Sequence, residues 1–188
     1  QYTNCTKGVR IDLIKNLPMG AGIGGGSSNA ATTLVALNTL WELYLSEEEL
    51  MQIGKSLGAD VPIFIYGKSA WAEGIGEKLS DIEIAEEEFI LINPGIHIST
   101  QKVFESAHLT RNSPIFEEHY FDHSRAINDC LPAIYHLYPH MRLIMNALNE
   151  LELNPYITGT GSCIFIPTMN SEKTLLLQSL AEEQNWQL

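Results

Sequence analysis

The sequence predicts an α+β fold in two parts, and three observations predict it. A strand-like segment runs into a glycine-dense loop and on into a helix with one apolar stripe. An acidic run, Glu86-Glu87-Glu88, reads as a solvated connection between the parts. Beyond it the order is strand, helix, strand, strand, helix, which is the split βαβ pattern of a ferredoxin-like domain without its final strand.

The elements follow in order. Val9 to Ile14 is short, β-branched and roughly alternating, so it reads as a strand. The Pro/Gly-dense stretch from Leu17 to Gly26 is a loop. From Ser27 to Tyr44, Ala30, Ala31, Leu34, Leu37, Leu40 and Trp41 fall at three- and four-residue spacing, the mark of an amphipathic helix capped by Ser27, Ser28 or Asn29. Ser46 with Glu49 forms a capping box for a second helix that ends at Gly58. Pro62 to Tyr66, Ser69 to Glu73 and Glu77 to Ile82 read as short strands broken by Gly67 and by Gly74-Ile75-Gly76. In the second part, Phe89 to Asn93 is a strand, Pro132 to Leu151 a helical pair broken at Pro139, Tyr156 to Thr158 and Cys163 to Pro167 strands around a glycine turn, and Ser171 to Glu183 a last helix.

Composition narrows the function. With 188 residues and 45% apolar content the chain can bury a core. It has no apolar run long enough to span a bilayer and no signal-like start, so a soluble, cytoplasmic protein is expected. Cys5, Cys130 and Cys163 are far apart and odd in number, which argues against a disulfide framework or a zinc ribbon. A formal net charge of −12 excludes binding to nucleic acid backbones, which relies on clustered Lys and Arg. Phosphorylated small molecules stay open, because a few backbone amides and one lysine bind phosphate locally.

The chemistry concentrates in Pro18-Met19-Gly20-Ala21-Gly22-Ile23-Gly24-Gly25-Gly26-Ser27-Ser28. Glycines let the backbone take positive φ and press close to a ligand, and a loop feeding a helix N-terminus aims amide donors and the positive end of the dipole at one anion. Triphosphate is the obvious anion. A Walker loop is excluded, because Gly26 stands where Lys is required before the Ser. Gly20, Gly22 and Gly25 satisfy G-x-G-x-x-G, but a second helix follows the first where a dinucleotide fold needs a strand ending in an acid.

This loop, with Ser27-Ser28-Asn29-Ala30-Ala31 after the triple glycine, resembles the phosphate loop of the GHMP kinases, and within them the kinases that act on 4-diphosphocytidyl-2-C-methyl-D-erythritol. Leu57-Gly-Ala-Asp60-Val-Pro62 resembles the segment bearing that family's catalytic aspartate, Ala72-Glu-Gly-Ile-Gly-Glu77 the strand pair after it, and Thr158-Gly-Thr-Gly-Ser162-Cys the third glycine motif. The resemblance implies a ribosomal protein S5 domain 2-like N-terminal part over residues 1–88 and a ferredoxin-like C-terminal domain over 89–188. It implies ATP-dependent phosphorylation of the 2-hydroxyl of that substrate in the non-mevalonate route to isoprenoids, with Mg²⁺ and Asp60 as general base. It leaves open another GHMP kinase of homoserine or mevalonate type, a non-catalytic nucleotide-binding module, and a homodimer.

By the same resemblance the loop from Gly20 to Ser28 holds the nucleotide, and Pro18 and Met19 lead into it. Lys15 either reaches the nucleotide or is a solvated lysine. Thr100 to Phe104 holds the cytidine end, with Phe104 either stacked on the pyrimidine or a core residue at a helix start. Family members also carry an N-terminal stretch with a Lys-x-Asn strand and a Tyr-His pair, so parts at both ends are expected to be missing. His119 with His123, and His136 with His140, have no evident third ligand and suggest no metal; Asn4-Cys5-Thr6 matches a glycosylation acceptor only formally.

Overall fold

The computed structural model describes residues 2, 3, 5–114, 126–168 and 170–188. Asn4 and the pair His119 and His123 lie outside them. The described residues form two compact units: one holds the chain through Met19 and Gly24–Ile84, the other holds Gly20–Ile23 and the described residues from Ala85 onward.

In the first unit, Val9 to Ile14 is not a strand. It has no sheet partner among the described residues and its apolar side chains are exposed, Ile14 by 84%. Alternation predicts a strand only where a neighbour pairs its backbone and a core covers one face. Helix α1 spans Gly25–Leu40 and packs on α2 (Glu47–Leu57) and α3 (Val61–Tyr66). It stops four residues short of Tyr44 because Asn38 holds the reversal: its side-chain amide donates to the Leu45 carbonyl and its oxygen accepts the Leu45 N–H, both at 3.0 Å. Glu42 and Tyr44 then take left-handed φ near 55°. The capping box of α2 forms as expected, with Ser46 accepting from Glu49 N–H and Glu49 from Ser46 N–H.

Pro62 to Tyr66 is helix α3, not a strand. A short apolar run suits either state. Pro62 in the first turn, where its missing N–H costs nothing, and Gly67 at φ 68° as the left-handed cap decide for helix. A hairpin of β1 (Ala70–Glu73) and β2 (Lys78–Asp81) completes the unit.

The second unit is built on a three-stranded antiparallel sheet of β3 (Phe89–Ile92), β4 (Tyr156–Ile157) and β5 (Ile164–Pro167), in the order β3-β5-β4. Helices α4 (Thr100–Glu105), α5 (Leu131–Leu137), α6 (Pro139–Glu150) and α7 (Ser171–Gln184) accompany it. Ile92, Val103, Ile134, Leu148, Ile164 and Leu177 are wholly buried at its core. Gln187 makes an antiparallel bridge with Asn93, just past β3, through backbone bonds of 2.8 and 3.1 Å. Phe104, read as a possible helix start, instead lies near the end of α4, whose six residues are too few to show a period.

Candidate functional site

The glycine loop divides between the units. In the second unit Gly20 and Gly22 take φ of 67° and 75°. Between them the buried Ala21 is anchored by its carbonyl, which accepts the Cys163 N–H at 3.1 Å and the Thr158 hydroxyl at 3.2 Å. The anchor is the glycine turn after β4, itself closed by Gly161 N–H on the Thr158 carbonyl at 2.7 Å. Asn128 steadies that turn, its side-chain amide donating to the carbonyls of Ile157 at 3.0 Å and Gly159 at 2.8 Å.

The same turn reaches helix α4, because the Thr160 and Thr100 hydroxyls share a hydrogen bond of 3.0 Å. Thr100 and Phe104 are one turn apart and so share a face of α4. Phe104 is 54% exposed, which removes the reading of a core phenylalanine and leaves a ring free to stack.

In the first unit the loop continues as the start of α1. Its N-cap is Gly24, in left-handed conformation, with no side-chain cap and no acidic residue in the first turn. Ser27, Ser28 and Asn29 are therefore inside the helix and do not cap it. The first helical bond runs from Ser28 N–H to the Gly24 carbonyl, so the amides of Gly25, Gly26 and Ser27 have no acceptor within the helix. Those amides, together with the dipole, favour an anion. Phe64 of α3 lies against Gly24, where an added Cβ would come within 2.6 Å of its ring.

Asp60 is the N-cap residue of α3, one helical turn before Phe64, and its side chain makes no capping hydrogen bond. The carboxylate is thus carried on the element that touches Gly24 and is not consumed by the helix end. Gly54 brings α2 close to Val61 and Ile65, and Val61 N–H closes a turn on the Gly58 carbonyl at 3.1 Å. Lys15 and Met19 are exposed, Pro18 and Ile23 half-buried.

Sequence reasoning missed Phe64, the contacts that Thr158 of the third glycine motif and Asn128 make, and the ion pair of Lys55 with Glu77 at 3.1 Å. The glycine pattern signals that something presses close but not what. Glu77 curls beneath its own turn: its own amide, the Ile75 amide and Lys55 hold the carboxyl down at about 2. The ordinary value is 4.5, so this stabilisation is complete above about pH 4.5 and is lost as pH falls through about 2. Acid unfolding monitored from pH 6 to 1 should show the wild type falling to meet Glu77→Gln below about pH 2. Parallel curves would exclude the contribution. Among the described residues no three His, Cys, Asp or Glu side chains gather as a metal centre, and no helix is long and apolar enough to cross a membrane.

Residues 1–68 match the family model described as GHMP kinases N terminal domain. The chain is 46% identical over 166 residues to the 4-diphosphocytidyl-2-C-methyl-D-erythritol kinase of Methylococcus capsulatus, covering 88% of this chain and 57% of that protein. It is 43% identical over 181 residues to the enzyme of that name from Pseudoalteromonas atlantica, covering 95% and 63%. A crystal structure of 4-(cytidine 5'-diphospho)-2C-methyl-D-erythritol kinase superposes with a TM-score of 0.69 at 26% identity, over 91% of this chain and 65% of that one. The chain therefore spans about three fifths of the length of these curated relatives. The glycine loop, the α+β architecture and these matches agree: residues 1–68 match the N-terminal domain of the GHMP kinases, and the chain is similar throughout to kinases named for 4-diphosphocytidyl-2-C-methyl-D-erythritol.

Proposed function

We propose that the chain carries the phosphate loop and the general base of an ATP-dependent kinase that phosphorylates the 2-hydroxyl of 4-diphosphocytidyl-2-C-methyl-D-erythritol in the non-mevalonate route to isoprenoid precursors. The observation that carries this reading is the uncapped start of α1 beside α3, the helix that opens on Asp60. The relatives are named as kinases of 4-diphosphocytidyl-2-C-methyl-D-erythritol. Residues 1–88 then form the nucleotide and catalytic part and 89–188 the ferredoxin-like part of a cytoplasmic enzyme.

In this reading the amides of Gly25, Gly26 and Ser27 bind a phosphate of ATP, and Asp60 takes the proton from the acceptor hydroxyl as it attacks the γ-phosphorus. Lys15 lies on the segment leading to the loop. Thr100 and Phe104 hold the cytidine end, the ring stacking on the base. Mg²⁺ is commonly held by substrate phosphates with few protein ligands. When bound, Mg²⁺ would supply neutralisation of phosphate charge, and the Ser27 and Ser28 hydroxyls are carried on the same first turn of α1 as the free amides.

Calorimetric titration of the full chain tests the nucleotide half. ATP with Mg²⁺ should bind at one site and be displaced by ADP, with CTP much weaker at that site. No ATP binding would refute the reading.

A further inference from the structure

We propose that Glu77 is a positioning residue for Asp60, acting through the hairpin turn that braces the backbone just before it. The inference rests on the reading of Asp60 as general base and adds a group that fixes its aim. Because the Asp60 side chain makes no capping bond, its direction depends on the backbone that carries it. That backbone is braced from two sides. On one side α2 ends at Leu57 and the Gly58 turn leads on; on the other, Gly76 sits so close to the Ala59 carbonyl that a Cβ there would be 3.1 Å from the oxygen.

Glu77 joins both braces. One carboxylate oxygen accepts the Ile75 N–H at 2.7 Å and lies where a Cβ on Gly74 would stand 2.5 Å away, so the turn is moulded around the carboxylate. The other oxygen accepts from Lys55 Nζ at 3.1 Å, and Lys55 lies in the last turn of α2. An amide at this position has one oxygen where the carboxylate has two, so it cannot accept from the turn amide and from Lys55 as both oxygens do now, and the hairpin loosens from α2. Gly76 then no longer holds Ala59, and the residue that follows Ala59 is Asp60. Small displacements of a catalytic group carry large rate costs, up to about 10²-fold for 1 Å.

The test is a double-mutant cycle on the full chain, measuring kcat and KM for ATP and acceptor. Glu77→Gln should lower kcat about 10-fold, with both KM values little changed, and should cause no further loss in the Asp60→Asn background, since a residue acting through Asp60 has nothing left to position. Lys55→Met, which leaves the turn bond intact, should give a smaller loss that also vanishes in that background. An unchanged kcat, or the same fold-loss in both backgrounds, overturns the proposal; if Glu77→Gln does not fold, Lys55→Met decides by the same criteria. Near wild-type kcat for Asp60→Asn itself would instead sink the general-base reading, and the positioning role with it.

Discussion

Asp60→Asn should lower kcat by about 10²-fold or more while leaving substrate affinity nearly unchanged. The substitution preserves shape and removes the ability to take a proton. Asp60 sits at the N-cap of α3 without a capping bond, so the helix loses no hydrogen bond and the fold should survive. Behind it, Val61 and Pro62 are buried and Phe64 touches Gly24, contacts that the amide leaves alone. Steady-state kinetics with a melting curve on the same sample check both halves. Near wild-type kcat would make Asp60 a turn residue only.

The second large effect separates glycines that look alike in sequence. Gly22→Ala places a Cβ 2.3 Å from the Thr158 carbonyl oxygen at φ 75°, so the substitution is strained twice. The loop must leave the Thr158 turn, breaking the bonds to the Ala21 carbonyl, at a cost of at least about 1–2 kcal/mol and, by the same displacement, about tenfold or more in ATP affinity. Gly24→Val is a poor probe, because it drives into Phe64 and lowers stability and binding together. Gly25 is the informative site: it is the first residue of α1 and has nothing within 4 Å of an added Cβ. Gly25→Val should melt near the wild-type temperature yet bind ATP at least about tenfold more weakly, since the close approach of backbone to phosphate is what it blocks. Normal ATP affinity in that variant would make the loop structural.

The sequence disclosed most where one residue type answers one physical demand. The capping box at Ser46 and Glu49, the glycine stop at Gly58 and the strand pairs around Gly74-Ile75-Gly76 and Gly159-Thr160-Gly161 needed only local chemistry. The order strand, helix, strand, strand, helix was legible because glycine turns, prolines and caps mark where these elements begin and end. Three misreadings were decided by features that a hydrophobic pattern does not carry. Val9 to Ile14 alternates but has no sheet partner among the described residues; Pro62 to Tyr66 is a short apolar run but proline in the first turn starts it as a helix; α1 begins at Gly25 on backbone geometry and not at the serines. The candidate site was read as a loop and an acid, the loop from its glycine density and the acid from the resemblance carried by the Gly-Ala-Asp-Val-Pro string. The contacts of Phe64, Thr158 and Glu77 were not legible, because each residue acts across the fold on a residue more than ten positions away or through a turn whose closure a sequence does not show.

The most direct measurement of the central claim is ³¹P NMR of the product formed when the full chain is incubated with ATP, Mg²⁺ and 4-diphosphocytidyl-2-C-methyl-D-erythritol, with homoserine and mevalonate in parallel. A new phosphomonoester coupled to the 2-carbon of the methylerythritol unit, formed with one equivalent of ADP and lost in Asp60→Asn, is the predicted result. No transfer to this acceptor, or phosphorylation of homoserine or mevalonate in its place, would contradict the assignment.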